Sequence, residues 1–371
     1  MASSSVFHEC ESTLDLGFVE DTPAWLLASR FFRSKVGGRP AWLDLKNLPS
    51  TEELSCNKCG NPMILLLQIY APLNENAKCF HRVIFVFMCG DSACHMDDLT
   101  PFKVFRSQLC RKNEFYPYES PVETSDWKVE LNVTKFVQIC RACGCLGSKK
   151  CSGCGKVSYC SRNCQMIDWK ARHKKECKNS DFVYSYREDE EVLPNLLLPQ
   201  HEIVIQGDDE IVSESDDEDD EESGKKVDEK KELEKLKELE QSGGVLSVSS
   251  KDLADFSTED EVIKDKNFKR FQKVVKCAPD QVIRYQRSAT PLWISANNIP
   301  NENQIPNCEI CGSKRIFEFQ IMPQLLSELK LDNSLEEKSV DWGTLAVYTC
   351  ESSCSDGSKS YKPEFIWKQI I

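Results

Sequence analysis

Between Cys140 and Cys177 the chain reads Cys140-x2-Cys143-x7-Cys151-x2-Cys154-x5-Cys160-x3-Cys164-x8-His173-x3-Cys177, which puts eight potential metal ligands in one short segment. Zn2+ takes four tetrahedral nitrogen or sulfur ligands, and close cysteine pairs from separate turns supply that geometry. A Cys-x2-Cys pair suits a tight turn that aims two sulfurs at one ion, whereas the x3 spacings of Cys160/Cys164 and His173/Cys177 place both ligands on one face of a helical turn. A segment this short holds no useful apolar core. Metal binding, worth ~10–16 kcal/mol in such modules, is then its main source of folding free energy, and it is expected to be unfolded without zinc. With four protein ligands on each ion no position stays open for water, so the segment is expected to bind and not to catalyse.

The rest of the chain contains 12 more of its 20 cysteines, against five histidines in all. The first twenty residues carry no Lys or Arg, the longest apolar runs (Val83 to Met88) are far too short to span a bilayer, and neither a signal peptide nor a membrane protein is expected. Paired cysteines in the reducing compartment so implied read first as metal ligands.

Charge divides the chain. Of the net charge of -13, eleven units lie between Asp208 and Glu222, which has no base; Cys140 to Lys178 carries +8. A block so acidic and so poor in apolar residues cannot offset the entropy of ordering and is expected to be disordered. It reads as a solubilising linker, as a decoy surface for a basic partner, or as an arm that folds back over the basic segment. A short helix is expected after it, on Leu233, Leu236 and Leu239. Ser213 and Ser215 precede acids and suit an acid-directed kinase.

The two ends of the chain are alike. Pro40-Ala41-Trp42-Leu43, Cys56-x2-Cys59-Gly60, Gln68-Ile69, Leu73 and the run Val83 to Met88 into Cys89-x4-Cys94 correspond to Pro291-Leu292-Trp293-Ile294, Cys308-x2-Cys311-Gly312, Gln320-Ile321, Leu325 and Leu345 to Tyr348 into Cys350-x3-Cys354. Each copy reads as β-rich, with strands over Met63 to Tyr70, Val83 to Met88, Ile316 to Met322 and Thr344 to Tyr348, the third alternating polar and apolar residues. Strands ending in paired cysteines can gather Cys56, Cys59, Cys89 and Cys94, and likewise Cys308, Cys311, Cys350 and Cys354, into ribbon-type zinc sites. The alternative is that these are reduced cysteines packing as small hydrophobes.

The ligand series, with Tyr159 and Trp169, closely resembles the MYND zinc finger. By that resemblance Cys140, Cys143, Cys160 and Cys164 hold one zinc and Cys151, Cys154, His173 and Cys177 the other, with Cys145 a bystander. MYND fingers generally bind short proline-containing peptides. The Lys-rich end of the segment lacks the interleaved aromatics of a base-stacking surface, so direct contact with nucleic acid is not favoured.

From Leu14 to Gln369 the chain resembles the programmed cell death protein 2 family, most specifically at Leu65 to Leu73, Glu202 to Ile205, Pro291 to Ser295, Phe319 to Leu326 and Phe365 to Gln369. The resemblance implies an α+β, β-rich fold of two related antiparallel-sheet halves: an N-terminal half (1–135), an inserted MYND finger (136–178), a returning strand segment (179–206), an acidic disordered linker (207–262) and a C-terminal half (263–371). It also implies a cytoplasmic and nuclear chaperone for a newly made, basic small-subunit ribosomal protein, acting in small-subunit biogenesis. The alternative is an adaptor whose finger docks proline-containing peptides of transcriptional corepressors. An enzyme is not expected: neither GxGxxG nor GxxxxGK[ST] occurs, no histidine follows His201, and His8, His81, His95 and His201 lack catalytic spacing.

Overall fold

The computed structural model describes residues 14–96, 101–125, 132–190, 193, 196–207, 265–331, 340–357 and 359–370. The Asp208 to Glu222 tract, the Leu233 to Leu239 stretch, Ser213 and Ser215 lie outside them.

The strands are β1 (Asp15–Glu20), β2 (Lys35–Val36), β3 (Ile64–Tyr70), β4 (His81–Met88) and β5 (Phe102–Leu109), then β6 (Lys149–Lys150) and β7 (Ser158–Tyr159) with helix α1 (Arg162–Asp168) in the cysteine-rich insertion. After it come β8 (His201–Gly207), α2 (Lys266–Lys276), β9 (Ile283–Tyr285), β10 (Arg315–Ile321), α3 (Gln324–Glu328), β11 (Thr344–Cys350) and β12 (Tyr361–Gln369). The two halves do not form separate sheets. Ten strands close into one antiparallel barrel in the order β1-β8-β2-β3-β4-β5-β12-β11-β10-β9. One seam joins β5 to β12, with Tyr361 opposite Ser107 and Glu364 opposite Val104, and the other joins β1 to β9. The strand that follows the insertion, β8, lies between β1 and β2. Closure removes the sheet edges that two open halves would expose.

Both faces of β4 are covered. Ile84, Val86 and Met88 pack with Phe319, Val347 and Ile366 of the other half, while Val83, Phe85 and Phe87 pack outward with Trp42 and Tyr361. A strand buried on both faces reads as an unbroken apolar run, which is how Val83 to Met88 appears in the sequence.

The repeat is present in detail. A bulge between Leu65 and Leu67 of β3 recurs between Phe317 and Phe319 of β10, and the extra residues are Leu66 and Glu318. Adding one residue moves the following side chains to the opposite face, so Phe317 packs with Tyr348 and Trp367 while Phe319 joins the cluster shared by the two halves. Gln68 and Gln320 each clamp a backbone segment. Gln68 accepts from Ala41 N (2.9 Å) and donates to Ala41 O, and Gln320 accepts from Leu292 N (2.6 Å) and donates to Leu292 O (3.0 Å). The alternation in β10 therefore does not mark a solvent-facing side: Glu318 and Gln320 are buried and hydrogen-bonded.

Candidate metal centres

Each Cys-x2-Cys pair of the insertion sits on the same tight turn. The amide of Gly144 donates to Cys140 O (2.9 Å) and that of Gly155 to Cys151 O (2.8 Å), and both glycines have positive φ, +74° and +66°. That left-handed conformation is costly for other residues, and it turns both sulfurs of a pair to one side. Cys160 follows β7 directly and Ser161 caps α1 by accepting from Cys164 N, so of this pair only Cys164 is helical. For this pair the expected shared helical face is absent, because it straddles a helix start; His173 and Cys177 do share a helical turn, with Cys177 N donating to His173 O (2.7 Å). Gly153 leaves room for the ligand, since a Cβ there would sit 3.0 Å from Cys177 Sγ and press on it.

The ligand atoms of Cys140, Cys143, Cys160 and Cys164 all lie within 4.8 Å of one another, as do those of Cys151, Cys154, His173 and Cys177. Cys143 Sγ is 3.6 Å from Cys160 Sγ, Cys160 Sγ 3.4 Å from Cys164 Sγ, Cys151 Sγ 3.9 Å from Cys177 Sγ, and Cys154 Sγ 3.5 Å from His173 Nε2. A tetrahedron with metal–sulfur bonds of about 2.3 Å has sulfurs about 3.8 Å apart, whereas a disulfide needs about 2.05 Å. The donor sets and separations fit zinc in the interleaved pairing. Burial pushes the Cys151 thiol up, but the Cys154 amide and the His173 side chain outweigh it and bring it down to about 6. A zinc on Nε2 of His173 leaves Nδ1 beside the Arg141 guanidinium (3.2 Å), which also grips the Glu176 carboxylate (2.9 Å); that carboxylate stands 3.6 Å from Nδ1. Cys145 is buried and stands outside both sets.

The insertion is fastened to the barrel, and this part of the site was not visible in the sequence. Trp42 Nε1 donates to Gly144 O (2.7 Å), and Arg39 donates to Arg141 O (2.8 Å), Arg187 O (3.0 Å) and Glu190 (3.0 Å). Tyr159 is buried, with its hydroxyl on Asp168 (2.6 Å). Cys151, Gly153, Gln165, Met166, Trp169 and Lys170 line a groove of about 350 Å³ in which Met166 is exposed.

Outside the insertion, Cys56, Cys59, Cys89 and Cys94 form a third set and Cys308, Cys311, Cys350 and Cys354 a fourth, again with all sulfurs within 4.8 Å. No single helix among the described residues is long and apolar enough to cross a membrane.

Comparison with known proteins agrees with this layout. Residues 13–123 match the N-terminal domain of programmed cell death protein 2, residues 265–370 its C-terminal domain, and residues 140–177 the MYND finger. The chain is 43% identical to "Programmed cell death protein 2" of Rattus norvegicus over 97% of both chains. It is 30% identical to "Programmed cell death protein 2-like" of Homo sapiens over 86% of this chain and 85% of that one. Over 24% of each chain it is 31% identical to "Probable 20S rRNA accumulation protein 4" of Schizosaccharomyces pombe. No solved structure matches.

Proposed function

The chain belongs to the programmed cell death protein 2 family, and from that premise we propose that it is a non-enzymatic, zinc-binding holder of a newly made, basic small-subunit ribosomal protein, acting in the cytoplasm and nucleus in small ribosomal subunit biogenesis. The observation that carries this reading is the relative named for 20S rRNA accumulation. Two features of the chain support it. The metal sets are complete tetrads, which suits binding and leaves no site for an attacking water. The eleven acids of Asp208 to Glu222 give a field that attracts and neutralises a strongly basic client without chemistry.

Affinity capture of the full chain from fresh lysate, followed by mass spectrometry, tests it. One basic small-subunit ribosomal protein at near-stoichiometric yield is the expected result. Recovery of nuclear corepressors alone would sink it. Deleting Asp208 to Glu222 is expected to weaken capture and flatten its salt dependence; unchanged capture would reduce the tract to a linker.

The groove beside Trp169 favours a second reading, an adaptor that docks proline-containing peptides through the finger. An exposed methionine next to an aromatic ring is an adaptable apolar surface of the kind that accepts short peptides. Trp169→Ala would abolish capture of such partners under this reading and leave ribosomal-protein capture intact under the first.

A further inference from the structure

We infer that the two outer cysteine sets are zinc sites, one in each half of the barrel, and that each ion braces the half opposite its own. The full chain then carries four zinc ions.

The turns make the first part of the case. In all four Cys-x2-Cys pairs a glycine follows the second cysteine, and the outer pairs repeat the finger's geometry. Gly60 N donates to Cys56 O (2.9 Å) and Gly312 N to Cys308 O (2.8 Å), with φ of +70° and +74°. Cys56 N donates to Asn61 O and Cys308 N to Ser313 O, both at 2.8 Å, as Cys140 N does to Cys145 O and Cys151 N to Val157 O in the finger. The second pair of each outer set arrives from the end of a strand, Cys89 just after β4 and Cys350 at the end of β11.

Separation and burial decide between metal and packing. Cys59 Sγ lies 3.6 Å from Cys89 Sγ, Cys308 Sγ 3.7 Å from Cys354 Sγ, and Cys311 Sγ 3.5 Å from Cys350 Sγ. These are the edges of a tetrathiolate around one zinc-sized ion and far too long for disulfides. A cluster of several irons would hold its four cysteines further apart. Cysteines that pack as small hydrophobes are among the most buried residues, yet Cys59 and Cys311 are exposed. Nothing apolar draws these two residues to their partners, whereas a shared ion does.

The cross-brace follows from the register. Gln68 pairs with Phe85 and Phe85 with Phe105; in the other half Gln320 pairs with Ala346 and Ala346 with Trp367. Arg106 and Lys368 are therefore equivalent, each one residue further along the last strand of its half. Both are buried, and each reaches across the seam to the other half's ligand loop. Arg106 donates to the carbonyl of Cys354 (3.3 Å), and Lys368 Nζ to the carbonyl of His95, the neighbour of Cys94 (2.7 Å). Gln108 adds a bond to Ser353 O (3.1 Å). An ion that fixes Cys354 thus fixes the acceptor for a strand of the N-terminal half, and one that fixes Cys94 does the same for the C-terminal half.

Elemental analysis of the purified full chain tests the count. Four zinc ions per chain are expected, three in Cys59→Ser or Cys311→Ser, and two in the double variant; two in the unsubstituted chain would overturn the inference. If a variant fails to fold, cobalt loading of the unsubstituted chain still decides. Four filled sites would give thiolate-to-cobalt absorption about twice that of the finger's two alone, and intensity matching the finger alone refutes the outer sites. Hydrogen exchange in Cys311→Ser tests the brace. Faster exchange of β5 amides supports it, whereas faster exchange confined to β10 and β11 would restrict each ion to its own half.

Discussion

The two halves of the barrel share a plan, and their most informative difference is one residue. Both have the glutamine clamp, the bulge, the four-cysteine set and a last-strand cation that crosses the seam. At the bulge the N-terminal half has Leu66, which joins the apolar cluster common to both halves. The C-terminal half has Glu318, fully buried, which receives Arg82 of the N-terminal half through two bonds of 2.7 and 3.0 Å, Tyr285 at 2.6 Å, Arg287 at 3.2 Å and the Thr349 hydroxyl. Features that build each ribbon, and the cation that crosses the seam, are the same in the two copies, whereas the residue at the bulge that receives Arg82 from the other half differs. The duplicated unit has become two complementary parts of a single barrel.

Substitution of Glu318 is the most severe way to break that comparison. Glu318→Ala leaves Arg82 buried without its carboxylate, and a loss of about 3–5 kcal/mol in denaturant unfolding is expected. Glu318→Leu combined with Arg82→Met makes the C-terminal bulge resemble the N-terminal one, and should recover much of that loss, since an apolar replacement of a buried pair is often neutral. A double variant as unstable as Glu318→Ala would show that the loss comes not from the stranded Arg82 charge but from the pair together with the Tyr285, Arg287 and Thr349 donors that lose their acceptor. Acid gives an independent reading. Burial alone would raise the Glu318 carboxyl, but Arg82, with help from Arg287 and Thr349, holds it down to about 2. Its unfolded value is near 4.3, about the ordinary one for a glutamate, so its contribution is complete above that pH and is lost as pH falls toward 2. The stability gap between the unsubstituted chain and Glu318→Gln should narrow over that range.

The glutamine clamps sharpen the likeness instead. Gln68→Ala and Gln320→Ala each strip a buried backbone amide and carbonyl of their partners, at a cost of about 1–3 kcal/mol. Equal losses would support functional equivalence of the two units. A much smaller loss at Gln320 would mean that the C-terminal segment around Leu292 is held by Gln369, which accepts from Ile294 N (3.0 Å).

These particular residues also explain how far the sequence could be read. Gln68 and Gln320, the cysteine pairs and the apolar runs were visible because duplication repeats them at matched intervals, and metal ligation requires fixed residue types at fixed spacing. Closure into one barrel was not visible, because it depends on pairing between β5 and β12, more than 250 residues apart, which neither repeat contains. Glu318 misled for a related reason: alternation reports which residues are polar, and only the bulge and a partner from the other half put a carboxylate inside. The seat of the finger escaped for want of pattern, since its contacts are two single side chains, Trp42 and Arg39, set on three backbone carbonyls and one carboxylate.

That seat supplies the mildest test of the comparison. Trp42 and Trp293 hold corresponding places in the repeat, but only Trp42 has a finger to bind, through Gly144 O. Trp42→Phe keeps most of the ring packing against Phe85 and Tyr361 and deletes one buried hydrogen bond, for about 1 kcal/mol. The loss should appear as faster amide exchange in the finger with the barrel unchanged. Trp293→Phe, with no inserted domain above it, should leave finger exchange as it was. Equal effects from the two tryptophans would mean that the finger is held through the barrel core as a whole and not by this contact.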